Sequence, residues 1–480
     1  MYVFVHRGGS DLTNPNPAAL ERKHGVNNQF AVQPEGRRGI FSASGIRQKG
    51  VLMKKKRIAA AVLAAALLAG CAQTPAPDPD ASSTASSNVS SDTANVPAGN
   101  EDKPVVVNLS DEQKASLFKF SWSLFEKMHE AGTDTLVSPL SAFFALGMCA
   151  NGADGATLEQ MENTLGVDVA TMNTLAKSAL LAAQGENKQL GIANSVWVNE
   201  SGLDQSYLDV IKSAYDAQGF DVDFTADAYQ QINAWVNEKT DGQIPELVNK
   251  QDVANLVALL VNTLNFDAKW AEPYEDTDIS TFVFTDAQGN EKETESLFSK
   301  EDKYVDAGAL HGFVRPYEGE RYAFAALIPS DENESLEDAL SKVDQAQLEE
   351  ALAHTQTKEV LATIPSFTLD QSMVLNQALQ EMGMIDAFTE HADFSKMSEE
   401  QKLMISKVMQ KTKITVNAQG TKAAAATSVG IMATSAPLEE ELPIYITCDR
   451  PFVYMIIDQE TATPVFIGTL EGLPQTPENQ

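Results

Sequence analysis

Gly420–Ser428 (GTKAAAATS) constrains the fold more than any other segment, because it is small, uncharged apart from Lys422, and set between two strand-like stretches. Before it, Ile414-Thr415-Val416-Asn417 alternates apolar and polar residues as a half-buried strand does. After it, Ser428–Leu442 reads as a loop of small and acidic residues, and Ile444–Ile457 returns to strand-like sequence. An alanine run is a poor strand former and ordinarily favours helix. This one is too short and too poorly capped to stand as a helix alone. A segment that prefers neither state, tethered between two strands, is a candidate conformational switch.

The region from about Asn108 to Leu473 carries no internal repeat and no Pro/Gly/Ser linker, and is near the upper size for one core. A single large domain follows. Strand-like runs (Phe282-Val283-Phe284, Ala323–Ile328, Val453–Ile457) mix with helical ones (Gln113–His129, Leu375–Met382). They do not alternate one by one, which favours α+β over a doubly wound sheet.

The front end reads as a targeting segment. Lys54-Lys55-Lys56-Arg57 is a basic start, Ile58–Ala69 an apolar core too short to span a membrane comfortably, and Leu68-Ala69-Gly70-Cys71 an ending like a bacterial lipobox. The boundaries expected are a signal peptide over residues 53–70, and a lipidated Cys71 opening a flexible tether over 71–106. A domain over 107–473 and a tail over 474–480 follow. Met1–Leu52 precede a natural start at Met53 and show no coherent pattern; they are expected to follow from a misassigned start codon and to lie outside the fold. Ala72–Glu101 is rich in Ala, Ser, Thr, Pro and Asp, which cannot bury enough surface to fold. Anchor and tether place the domain on the extracellular face of a bacterial cell membrane, held by lipid chains at Cys71.

The formal charge is −32, and the first 70 residues hold 11 Lys/Arg against 3 Asp/Glu, so the remainder carries −40. That balance disfavours nucleic acid and anionic lipid as partners, and no nucleic acid is expected. No Lys/Arg cluster suggests a polyanion activator. Beyond Cys71 only Cys149 and Cys448 remain, far apart and in apolar surroundings, which reads as two buried thiols.

The chain offers no Gly-x-Ser-x-Gly elbow and no His-Glu-x-x-His zinc site. His129, His311, His354 and His391 are not spaced for a metal, and His129 reads as a partner for a helix C-terminus. No catalytic residue, metal or cofactor is expected. Glu439-Glu440-Glu441 reads as solvated charge in the loop.

Several blocks in order make the chain similar to one known family. Asp134–Glu162 carries Ser138-Pro139-x-Ser141 and Gly152-Ala153-x-Gly155-x-Thr157. Then come Ile192–Val198, Ile232–Pro245, Leu260–Trp270, Ile364–Phe367, Met382–Phe388, Ile405–Val408, Arg450–Phe452 and Pro464–Gly468. Together with the alanine-rich stretch they resemble the serpins, over roughly Val107–Leu470. The resemblance implies three β-sheets, eight or nine helices and an exposed reactive-centre loop. It also implies a mechanism: a protease cleaves the loop, an acyl-enzyme forms, and the loop inserts as a new central strand before water can release the protease. Stored free energy drives this, because the native fold is held by a barrier.

On that resemblance Gly420, Thr421, Lys422, Ala423, Ala424, Ala425, Ala426 and Thr427 form the hinge. About fifteen residues at ~3.3 Å each cross a domain of tens of ångströms. Side chains alternate faces along a strand. If Thr421 turns inward first, the inward set is Thr421, Ala423, Ala425, Thr427 and Val429, none of them charged. Lys422 falls outward with Ala424, Ala426 and Ser428. Counting from Gly420 puts the reactive bond at Thr434-Ser435, with Met432 and Ala433 as alternatives. These small or unbranched residues suit an elastase-like or subtilisin-like serine protease, or more weakly a papain-like cysteine protease, and not trypsin. Ser138, Ser141, Asn262 and Gln410 resemble the group that controls sheet opening, and Trp270 the residue packed where the loop enters.

The chain departs from the family pattern in three places. Ala418, Gln419 and Lys422 stand where inhibitory members usually carry acids, Gln410 stands where histidine is common, and the stretch to Pro451 is long and acidic. Gln410 keeps a donor and an acceptor. The expectation is a monomeric suicide inhibitor whose partner is a target serine protease. The alternative is a non-inhibitory surface binding protein on the same fold.

Overall fold

The computed structural model describes residues 1–7, 109–184, 188–199, 202–224, 227–421 and 442–473. The chain divides into two compact units, Met1–Leu12 with Asp102–Gln480, and Thr13–Glu101. All described residues belong to the first. The signal-like segment, Cys71, the tether and Lys422–Glu441, with the proposed reactive bond, lie outside the described residues.

Nine α-helices and two hydrogen-bonded sheets make up the described part, an α+β arrangement. The helix Asp111–Met128 begins where Ser110 and Gln113 form a capping box, the Ser110 hydroxyl accepting from the Gln113 amide (3.2 Å) and the Gln113 side chain accepting from the Ser110 amide (3.0 Å). The helix Pro139–Ala150 (PLSAFFALGMCA) is apolar all round and buried along nearly its whole length. Such a helix must be covered on every side. It packs on the first sheet, on Thr463–Leu470 of the second, and on the helices around it.

In the first sheet the strands run in the order Gln218–Asp221, Leu190–Val198, Ala258–Phe266, Tyr2–Arg7, Leu403–Asn417, with Phe367–Val374 on the far side of the last. Two short strands, Ala268–Lys269 and Gly420–Thr421, complete one end. The second sheet contains the strand-like runs read from sequence, within Ile279–Thr285, Tyr322–Pro329 and Phe452–Asp458. Two of the three expected sheets merge here. Glu291–Asp306, a strand of 16 residues, pairs at its start with Ile279–Thr285 and at its end with Leu310–Pro316, so it belongs to both. Cys149 and Cys448 are free and buried, and burial pushes the Cys149 thiol up to about 12.

The expectation that residues 1–52 lie outside the fold needs correction for the first seven. Tyr2–Arg7 is a central strand, hydrogen-bonded to Ala258–Phe266 on one side and to Leu403–Asn417 on the other. Its Val3 and Val5 join the core beneath the sheet, and Tyr2 and Phe4 join the cluster above it. A strand buried on both faces reads as a continuous apolar run, which Tyr-Val-Phe-Val is.

Candidate functional site: a hinge and an acceptor slot in the main sheet

Leu403–Asn417 ends in a tight reversal at Ala418-Gln419, and Gly420-Thr421 folds back along it, pairing Val416 with Thr421 and Asn417 with Gly420. Asn417 fixes the turn, its side-chain oxygen accepting from the amides of Gln419 (2.9 Å) and Gly420 (3.2 Å). Only glycine fits at 420. Its φ is +148°, and a Cβ there would sit 2.1 Å from the Ala268 carbonyl oxygen.

Thr421 is 2 % exposed. Its hydroxyl bonds the Tyr317 hydroxyl at 2.7 Å. Tyr317 is itself wholly buried, which holds its phenol neutral by raising its pKa. The Trp270 ring stacks on Tyr317 (centroids 4.6 Å apart, 8° between planes), and its indole N–H donates to the Asn417 carbonyl at 2.9 Å. Arg315, in a buried ion pair with Glu301, lies over Tyr274 (4.2 Å) and Trp270 (5.2 Å). The start of the hinge is thus already seated in the sheet, with Thr421 pointing into the core. Tyr317 lies outside the quoted motifs, and no sequence signal marked it as Thr421's partner.

Below this point Ser138, Ser141, Asn262 and Gln410 come together. The Gln410 amide bridges both sides of Ser138, accepting from its N–H (2.9 Å) and donating to its carbonyl (2.8 Å). The Ser138 hydroxyl donates to the Val465 carbonyl (2.8 Å) and caps the helix Pro139–Ala150. The Ser141 hydroxyl donates to the Asn262 side chain, and Asn262 donates to the Asn194 side-chain oxygen (2.9 Å). Asn194 then donates to the Tyr215 carbonyl (2.7 Å). The network ties the two strands flanking the slot to the buried helix. Glutamine serves at 410 because it donates and accepts at once.

Ala258–Phe266 and Leu403–Asn417 are both antiparallel to Tyr2–Arg7, so they run parallel to each other with a strand's width between them. Among the described residues the ladder pairs stop at Val261 and Met409 and resume at Ala268 and Val416. A small cavity in this interval is lined by Met1, Ser138, Asn262, Leu264 and Thr412, under Val236 and Leu247. Met1 closes its lower end, its amino group donating to the Asn262 carbonyl (2.8 Å); burial pushes that group's pKa down to about 5.

Among the described residues, the main sheet thus holds open ladder positions between two parallel strands, with a chain segment turning into them at one end. The family description "Serpin (serine protease inhibitor)" matches residues 115–472, and the chain belongs to the serpin family. It is 30 % identical over 381 residues to an uncharacterized serpin-like protein of Thermococcus kodakarensis, covering 77 % of this chain and 86 % of that one. To the leukocyte elastase inhibitor of Bos taurus it is 31 % identical over 387 residues, 75 % of this chain and 100 % of the other. Among solved structures it is similar to the thermophilic serpin tengpin at 35 % identity. The native state gives a TM-score of 0.69 (76 % and 96 % of the two chains), and the latent state 0.66 (76 % and 99 %).

Proposed function

We propose that this serpin is a suicide-substrate inhibitor of serine proteases with elastase-like or subtilisin-like preference for small residues. The observation that carries the reading is the buried, inward-facing Thr421 and its register. Opposite Thr421 stands Val416, and the inward residues that follow along that strand are Ile414, Thr412, Gln410 and Val408. Continued insertion places Ala423, Ala425, Thr427 and Val429 opposite them, small and uncharged residues of which only Thr427 has a polar group to desolvate, and it falls opposite the Gln410 amide. Lys422 falls on the outer face. The protease's acyl-enzyme, at Thr434-Ser435 or one or two residues upstream at Ala433 or Met432, is carried along with the strand.

Incubation with an elastase, a subtilisin and a trypsin, followed by a denaturing gel, tests the reading. A denaturant-stable band at the summed mass with the first two, and none with trypsin, is the expected result. Clean loop cleavage with no complex overturns it. That outcome favours the non-inhibitory alternative, which the occupied lower half of the slot supports.

The location follows as part of the proposal. Acylation at Cys71 holds the domain at the outer face of a bacterial membrane, where it meets its protease as a monomer. Cys71→Ser is expected to release the protein from the membrane fraction; its retention there would contradict the anchor.

A further inference from the structure

We propose that Tyr2–Arg7 is a resident strand of the acceptor slot, and that its departure controls whether the hinge can complete its insertion. The inference rests on the insertion reading above and concerns its regulation.

The register shows the competition directly. Extending the Thr421–Val416 pairing sets Lys422–Ala426 against Thr415–Lys411, positions that carry no ladder partner on that edge among the described residues. The next loop residue, Thr427, falls opposite Gln410, beside the place Met1 holds. Ser428, Val429 and Gly430 then fall opposite Met409, Val408 and Lys407, which pair with Tyr2, Val3 and Phe4. The remaining positions down to Leu403 pair with Val5, His6 and Arg7, past a register shift between Phe4 and Val5. The loop can therefore enter as far as Ala426 and no further while this strand is in place. All the candidate reactive-bond residues lie beyond that limit.

The faces match as well as the positions. Val3 and Val5 point inward, as Val429 would. Outward, Tyr2 and Phe4 pack beneath Ala228–Lys239 against Trp197, Ile232 and Val236, where the loop would offer only Ser428 and Gly430. The resident strand thus fills the lower slot with more apolar surface than the loop can. The Tyr2 hydroxyl donates to the Leu247 carbonyl (3.1 Å), His6 bonds Ser406 (2.6 Å), and Arg7 donates to Gln401 (2.8 Å). These contacts are specific to this sequence and are not available to the loop. Any cleavage between Arg7 and the domain, including one before Cys71, cuts the covalent tie that keeps the strand at high local concentration.

The test uses the full chain and a double variant, Val3→Asp with Val5→Asp, with Phe4→Ala as a milder second change. Thermal unfolding checks that each folds. Hydrogen exchange should show Tyr2–Arg7 protected in the unmodified chain and exposed in the double variant. A fluorescent synthetic peptide of sequence Lys422–Thr434, added in trans, should enter the double variant at least tenfold faster than the unmodified chain, with Phe4→Ala between them. Equal uptake, or exchange at Tyr2–Arg7 as fast as in a free peptide, overturns the resident strand and leaves the inhibitor reading intact. A tenfold difference in uptake with no protease trapped by either chain supports the resident strand and overturns the inhibitor reading.

Discussion

Replacing Thr421 by arginine separates insertion from mere loop cleavage. The site is 2 % exposed, with Trp270 stacked on Tyr317 below it and the Ala268–Lys269 backbone alongside. A guanidinium placed there loses its hydration and finds a tyrosine hydroxyl where it needs an anion, a cost of several kcal/mol. Because position 421 is already seated before cleavage, the arginine drives the hinge out of the sheet in the uncleaved protein, and seating it again on insertion costs about 3 kcal/mol, which slows that step roughly 100-fold. Hydrolysis of the acyl-enzyme is chemistry of the protease and keeps its own rate. The balance therefore tips from trapping to turnover: where insertion and hydrolysis start evenly matched, consumption rises from about two inhibitors per protease to about a hundred. Thr421→Val is the control, since it keeps the shape and loses one hydroxyl bond, worth about 1 kcal/mol, so trapping stays within tenfold. The assay titrates a fixed amount of subtilisin with each variant and reads residual activity and the covalent band. An arginine variant that traps with unchanged stoichiometry would refute the claim that this side chain must be buried.

Three other outcomes follow. Gln410→Ala leaves the Ser138 N–H unpaired, with the Ser138 carbonyl keeping its bond from the Ala142 amide, and opens space beside the buried helix, so a loss of about 2–4 kcal/mol is expected in denaturant unfolding. Glu471 has its pKa raised to about 7, chiefly by burial and then by Asp134 and Glu337. The folded state therefore holds its proton more tightly than the unfolded one, and stability falls as pH rises from about 4.5 to about 7. Glu471→Gln should add about 1–2 kcal/mol at pH 8, after solvent screening, and nothing near pH 4, read from melting curves at both. Gly420→Ala forces a methyl against the Ala268 carbonyl, so the hinge should leave the sheet, seen as a shift in Trp270 emission.

Much of the site is legible in the sequence because its residue types are forced by local geometry. Gly420 and Thr421 stand out as the small, uncharged start of the stretch read as a hinge, and the Ser138–Gln410 contact follows from the family resemblance together with a side chain able to donate and accept. Tyr317 is not legible, since a buried tyrosine in a strand-rich segment looks like any core aromatic. Tyr2–Arg7 is harder still. Its partner strands lie some 250 and 400 residues away in sequence, and both its faces are covered, so no polar alternation marks it. The targeting-like segment that follows also argues for discarding everything before it. Its signal was the dense run of aromatic and β-branched residues, the composition of a strand in a sheet interior. The merging of two sheets was hidden for a related reason, since Glu291–Asp306 changes partners partway along without any break in its sequence.

Hydrogen exchange before and after reaction with subtilisin tests the central claim most directly. If the loop becomes a strand of the main sheet, the amides from Ala423 to Val429 gain protection in the covalent product while those of Tyr2–Arg7 lose it. A covalent or cleaved product in which Ala423–Val429 still exchange freely would contradict insertion.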